Sequence, residues 1–472
     1  MKKRCLSIGC IILSLLIPFS SNASLFGEFG LKEEMEMGRE IEMTVKTTLP
    51  VIEDPEITSY VSSVVNSIVK TLPPQPYAFP SHVVLHDSLN AFAAPGGFIF
   101  VFTGLIMNMQ HESELAGVLS HEIAHVVQRH IAGRMERGKV VSLASLLGAI
   151  AGLAVGMASG NSEGGSVALV GSMAAGASAM LKYSRADEDD ADRFGLQYLI
   201  KAGYDPKGMQ RAFEILKSQE WGGRSSVPSY LSTHPDLDLR ISRIRTDLQS
   251  RTPKAAVRRD DEKRFHRVQS LIWARYGNPS LAARYFERGN ASDSMNVLGR
   301  AMLASRQHQV QKAGKLFQDA LALSPGDPLV LREAGIFAYE SGGDITRAKK
   351  LLDEALRLSP RDIYAMFYCA RIFDDAGNYA EAQKIYRKLL RSVPKDSELY
   401  QHYGNSLGKS GRQCEAYINL SYSALYAANM KKARRYHDMA AKMARTPEDK
   451  ALLKEYEIKS AEFSGILKKL SK

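Results

Sequence analysis

The sequence predicts a two-part chain: an α+β domain, mostly helical with a small sheet, followed by an all-α solenoid of paired helices. Three observations carry this. Between Leu31 and Met135 helical spacing gives way to short β-rich runs and then returns. In the second half a proline-closed phrase recurs at a nearly constant interval. Hydrophobic residues make up 45% and charged residues 24%, which excludes wholesale disorder and a multi-span membrane protein. A chain of 472 residues has room for two or three domains at roughly 150 residues each, and we divide it into 1–23, 24–255 and 256–472.

Met1-Lys2-Lys3-Arg4 precedes a mostly apolar run to Phe19, and Ser21-Asn22-Ala23 offers small residues for a cut. This is the pattern of a signal peptide cleaved near Ala23, which expects an exported protein. Glu33 to Thr47 and Ile57 to Val69 follow with apolar residues at three- and four-residue spacing, separated by a breaker from Pro50 to Pro55. His82–His86 and Gly97–Phe102 read as strands on either side of Ala94-Pro95-Gly96-Gly97. The second of these is expected to present an open edge to which an extended peptide could add. Glu112 to Met135 reads as one helix. Residues 140–182 are rich in Gly, Ala, Ser, Val and Leu, which suits a helical hairpin or a peripheral contact with a membrane.

Pro325, Pro360 and Pro394 close similar phrases at intervals of 35 and 34, and Gly343, Gly377 and Gly411 recur at 34. Ala313, Ala348, Ala382 and Ala416 keep the same step. Small residues let two helices approach and proline ends the second of each pair, the mechanics of a tetratricopeptide repeat. Helices at 262–290 and 418–445 are expected to flank the stack. Cys369 and Cys414 are the two cysteines beyond the leader, too few for a disulfide framework, and their pairing stays open.

His121-Glu122-Ile123-Ala124-His125 lies in a helical, apolar context, so both imidazoles share one face and can reach one zinc ion. Glu122 stands beside them as a general base for a water held by the ion. A catalytic zinc wants a third protein ligand. The segment Ser184 to Asp192 offers five carboxylates, of which Glu188 and Asp192 share a face; spacing alone does not choose among the five. His111 and His130 fall off the ligand face by helical phase and read as polar surface or interface groups.

Asn90-Ala91-Phe92-Ala93-Ala94-Pro95-Gly96-Gly97, then Ser120 with the HExxH motif, then Ser184-Arg185 with Glu188 and Ala191-Asp192, resembles the M48 family of zinc metallopeptidases. The resemblance implies a zincin-like fold for residues 24–255, one Zn2+ per chain, His121, His125 and Glu188 as ligands, Glu122 as base and Asp192 as partner of a ligand histidine. It also marks His234 in Ser232-Thr233-His234-Pro235 as a fourth ligand that keeps the enzyme latent. Arg240 is then placed either to stabilise an oxyanion or to form a salt bridge. With the leader and the repeats, the resemblance implies a periplasmic endopeptidase that acts on misfolded or stalled outer-membrane proteins. The repeats would recruit substrate or the barrel-assembly machinery.

The alternative is a repeat-based adaptor or chaperone whose zinc is structural or latent. A net charge of +11 comes without aromatic-interleaved basic motifs, so nucleic acid is not expected as a partner. Basic stretches at Arg258–Arg267 and Lys431–Arg435 read as solvated helix faces or contacts to acidic partners.

Overall fold

The computed structural model describes residues 30–136, 182–220, 230–250, 260–290, 292–342, 344–427 and 429–470. The expected leader, residues 140–181, Gly343 and the expected boundary at 255 lie outside the described residues. Among the described residues no helix is long and apolar enough to cross a membrane.

The first part opens with helix α1 (Leu31–Thr48), strand β1 (Val51–Ile52) and helix α2 (Pro55–Val69), whose first turn is capped by Asp54. Strands β2 (Ser81–Val84), β3 (Ala91–Ala94) and β4 (Phe98–Phe102) complete a four-stranded sheet in the order β1-β2-β4-β3. β2 runs parallel to β4, while the β1–β2 and β3–β4 pairs are antiparallel. All five residues of β4 are buried because both faces of the sheet are covered. Phe98, Phe100 and Phe102 pack under Met37, Ile41 and Val45 of α1, and Ile99 and Val101 face the main core.

This corrects the expected open edge: Phe98–Phe102 is an interior strand, and the edges are β1 and β3. Ala91–Ala94, four residues of which three are alanine, is too short and too poor in β-formers to announce itself as a strand. Val51–Ile52 likewise pairs with β2 inside a segment expected to be a breaker.

After helix α3 (Thr103–Asn108) comes the central helix α4 (Glu112–Val127), buried from Glu112 to Val126. The single helix expected from Glu112 to Met135 is broken at Arg129, which takes a left-handed φ of 53° before helix α5 (His130–Glu136) begins. Helices α6 (Arg185–Lys201), α7 (Lys207–Glu220), α8 (Tyr230–Thr233) and α9 (Leu237–Ser250) follow. Gly195 of α6 lies against His121, where a Cβ would stand 3.0 Å from its Cα. The glycine lets the two helices that carry the motif residues touch backbone to backbone.

The second part stacks helix pairs, beginning with Glu262–Arg275 and Pro279–Arg288 and ending with Met430–Met443 and Pro447–Leu470. Ala313, Ala348, Ala382 and Ala416 are all buried between paired helices. Gly377 and Gly411 take positive φ in the turns inside their pairs. Cys369 and Cys414 are buried and free.

The two parts share one hydrophobic core that runs from Ile52 to Ala334. The Gln269 amide donates to the carbonyls of Ile106 and Met109 at 2.8 and 2.6 Å, sealing the end of α3. Arg332, 1% exposed, donates to Asp54 and Asp362 at 3.0 Å each and to Glu333 at 2.8 Å. Arg275 joins Asp54 from the first repeat helix at 3.0 Å. Burial raises the Asp54 carboxyl, but Arg332 and Arg275 more than offset it and hold it below its ordinary value. Its contribution to stability is complete above the ordinary carboxylate range and is lost as pH falls through the folded value, below about pH 4.

Asp54→Ala leaves the buried Arg332 and the partly buried Arg275 each short of a partner and should cost about 3–5 kcal/mol in urea unfolding at pH 7. The exposed pair Lys349–Asp353 should be worth about 0.5 kcal/mol or less when broken. Similar losses from both changes would contradict the junction's role.

Candidate metal centre

α4 begins where the Glu114 carboxylate accepts from the backbone N–H groups of Gln110 and His111 at 2.6 and 3.2 Å. Two turns on, His121 and His125 turn their Nε2 atoms to one point, 3.0 Å apart. α6 supplies the acid. Its five carboxylates divide by contact. Asp187 caps the helix with Ser184, Asp189 pairs with Arg243, and Asp190 pairs with Arg193. Glu188 and Asp192 turn inward to His121, at 3.5 Å from Nε2 and 3.0 Å from Nδ1.

His234 enters from the end of α8, its backbone N–H bonded to the Tyr230 carbonyl. The turn after it is left-handed at Asp236, φ 64°, and Arg185 holds that residue's carboxylate at 2.6 Å. His234 Nδ1 lies 2.9 Å from Glu188 Oε1 and 3.3 Å from His121 Nε2. Among the described residues, His121, His125, Glu188 and His234 form a buried group whose ligand atoms lie within 4.8 Å of one another and could hold a metal ion. A tetrahedral ion with bonds of roughly 2.0–2.1 Å needs donors about 3.3 Å apart. His121 lies 3.0 and 3.3 Å from His125 and His234, and Glu188 lies 2.9 to 3.7 Å from the three histidines, so the donor set suits such an ion.

Arg240 of α9 is 1% exposed and donates through Nε and Nη2 to both oxygens of Asp192, at 2.8 and 2.7 Å. Its Nη1 stands 2.5 Å from Glu188 Oε2, an ion pair whose angles do not suit a hydrogen bond. Burial works against the charge on both acids, yet His234 and Arg240 hold Glu188, and Arg240 holds Asp192, below the ordinary range. Glu122 is the opposite case: burial raises its carboxyl, and neither of its oxygens has a hydrogen-bond partner in the described structure. The nearest imidazole nitrogen to it is His234 Nε2, at 3.5 Å. Burial and Arg240 push His121 down, but Asp192 and Glu188 outweigh them and lift it up to about 9.

Residues 52–248 match the sequence model of peptidase family M48, and residues 341–402 match that of the tetratricopeptide repeat. The chain carries an M48 peptidase domain. Over 299 residues it is 29% identical to the beta-barrel assembly-enhancing protease of Escherichia coli, covering 62% of this chain and 61% of that protein. It is 30% identical over 312 residues to the putative beta-barrel assembly-enhancing protease of Vibrio cholerae, covering 64% and 62%. To the mitochondrial metalloendopeptidase OMA1 of Schizosaccharomyces pombe it is 30% identical over 218 residues, covering 46% and 59%. The chain therefore spans about three fifths of the length of these relatives.

Three residues of the M48 domain's centre escape the spacing argument. The ring of Tyr183 stacks on His125 at 3.7 Å and that of Tyr230 on His234 at 4.1 Å. Tyr230 is legible afterwards as one helical turn before His234, whereas nothing before Ser184 announces Tyr183. His130 was expected away from the site but lies 2.8 Å from His125, Nδ1 to Nδ1. The expectation failed because helical phase does not survive the break at Arg129. His111, half exposed, meets Glu262 of the first repeat helix at 3.1 Å, an interface position as expected.

Glu188→Ala should lose most of the metal retained after dialysis, measured by elemental analysis, because it removes a donor and unbalances Arg240. Asp189→Ala, one residue away on the outer face, should retain it. Equal retention by the two variants would contradict the assignment.

Proposed function

We propose that this chain is a zinc-dependent endopeptidase of the periplasm that cleaves misfolded or stalled outer-membrane proteins, with His234 as a closing fourth ligand. The observation that carries this is the buried donor set of His121, His125, Glu188 and His234 with the Glu122 carboxylate, free of hydrogen bonds, beside it. Zinc, when bound by these residues, supplies a Lewis acid that acidifies water and polarises a peptide carbonyl.

Glu122 then accepts the proton of the attacking water and passes it to the leaving nitrogen. Its burial-raised carboxyl is suited to that exchange. Asp192 accepts a hydrogen bond from the Nδ1–H of His121 and so aims Nε2 inward. Arg240 orients Asp192 and neutralises Glu188; with its guanidinium on two carboxylates, the salt-bridge role is favoured over the oxyanion role. An extended substrate adds to the sheet edge at β3, which packs against α4.

The names of the Escherichia coli and Vibrio cholerae relatives support substrates in barrel assembly, with the repeats recruiting either substrate or assembly machinery. The leader pattern supports export. The second reading, a repeat-based chaperone or adaptor with latent zinc, is favoured by one observation: four protein donors in a closed tetrahedron leave no position for water.

The test is cleavage of an unfolded outer-membrane protein by the mature chain. Glu122→Gln should keep about one zinc per chain and lose cleavage by about 100-fold or more. His234→Ala should keep zinc and cut faster than wild type. Zinc bound without cleavage in any form would favour the adaptor.

A further inference from the structure

His125 offers its two ring nitrogens to different neighbours. Nε2 lies among the metal donors, 3.0 Å from His121 Nε2, while Nδ1 points away from them and meets Nδ1 of His130 at 2.8 Å. An imidazole that ligates through Nε2 carries its proton on Nδ1 and needs an acceptor there. His130 can be that acceptor in the tautomer protonated on Nε2. It is 7% exposed, and the two rings meet edge-on at 74°, with centroids 4.9 Å apart. In that arrangement an in-plane N–H can face an in-plane lone pair.

The backbone is bent to deliver this ring. An unbroken helix would carry position 130 about 140° around the axis from His125, away from the centre. The left-handed Arg129 ends α4 and restarts the chain as α5 with His130 as its first residue. A positive φ at a long side chain is uncommon and needs surrounding structure to hold it. That hold is visible in the Arg129 side chain, which donates to Glu34 of α1 at 3.0 Å, and the His125 ring is itself covered on one face by Tyr183.

We infer that His130 is a positioning residue of the metal centre, whose Nδ1 accepts the Nδ1–H of His125 and fixes that ligand's tautomer and orientation. The two motif histidines are then held differently, His121 by the carboxylate of Asp192 and His125 by a neutral imidazole. This rests on the zinc reading above.

The test measures zinc affinity of the full chain by chelator competition, together with the visible spectrum of the cobalt-substituted protein. The variants are His130→Leu, His130→Ala and His130→Asn. Leu and Ala cannot accept a hydrogen bond, whereas the Asn carbonyl can take the place of Nδ1. Leu and Ala should lower affinity by about 10–100-fold and shift the cobalt bands, with Asn within a few-fold of wild type. Thermal unfolding in excess chelator identifies any variant that fails to fold. Wild-type affinity and spectrum in the Leu and Ala variants would overturn the inference, as would an Asn variant as impaired as Ala. A drop in affinity in the Leu and Ala variants, with no cleavage by any form including wild type, would uphold the positioning role while the peptidase reading fails.

Discussion

The centre of this protein depends on balancing charge where there is no water. Glu122, Glu188 and Asp192 are buried with three imidazoles and one guanidinium, Arg240, itself 1% exposed. Uncompensated burial costs on the order of several kcal/mol per ion. With the imidazoles neutral, as ligation requires, and Glu122 ionised, the three acids exceed Arg240 by two negative charges, the complement of a divalent cation. Arg240 cannot be replaced by a loosely held lysine in this scheme, because its fork reaches both oxygens of Asp192 while another nitrogen faces Glu188. The close packing of α4 on α6 at Gly195 brings these groups within reach of one another.

A second charge balance joins the halves. Asp54 starts α2 in the peptidase domain and takes Arg275 and Arg332 from the repeats, over a hydrophobic cluster common to both. The first repeats are thus part of the fold that supports α4, and whatever the later repeats hold is carried on a platform continuous with the metal centre.

The features legible in the sequence are those set by local geometry. The spacing of His121 and His125 puts them on one face in any α-helix, and the buried alanines of the repeats follow from a period that needs no tertiary knowledge. The α+β class follows from the change of period between Val69 and His82, although β3 was hidden because four residues, three of them alanine, carry little β signal. Choosing Glu188 among five carboxylates needs the capping box of Ser184 and the outer partners Arg193 and Arg243, which no spacing reveals. His130 was misread because helical phase assumes an unbroken helix, and one left-handed residue reverses the answer. His234 and Arg240 lie more than a hundred positions along the chain from the motif; resemblance alone pointed to them.

X-ray absorption at the zinc edge, on the loaded wild type and on His234→Ala, addresses the closed four-residue centre most directly. Four nitrogen or oxygen neighbours are expected in the wild type, with imidazole scattering from three rings that falls to two in the variant. The same imidazole count in both proteins would contradict the closed centre.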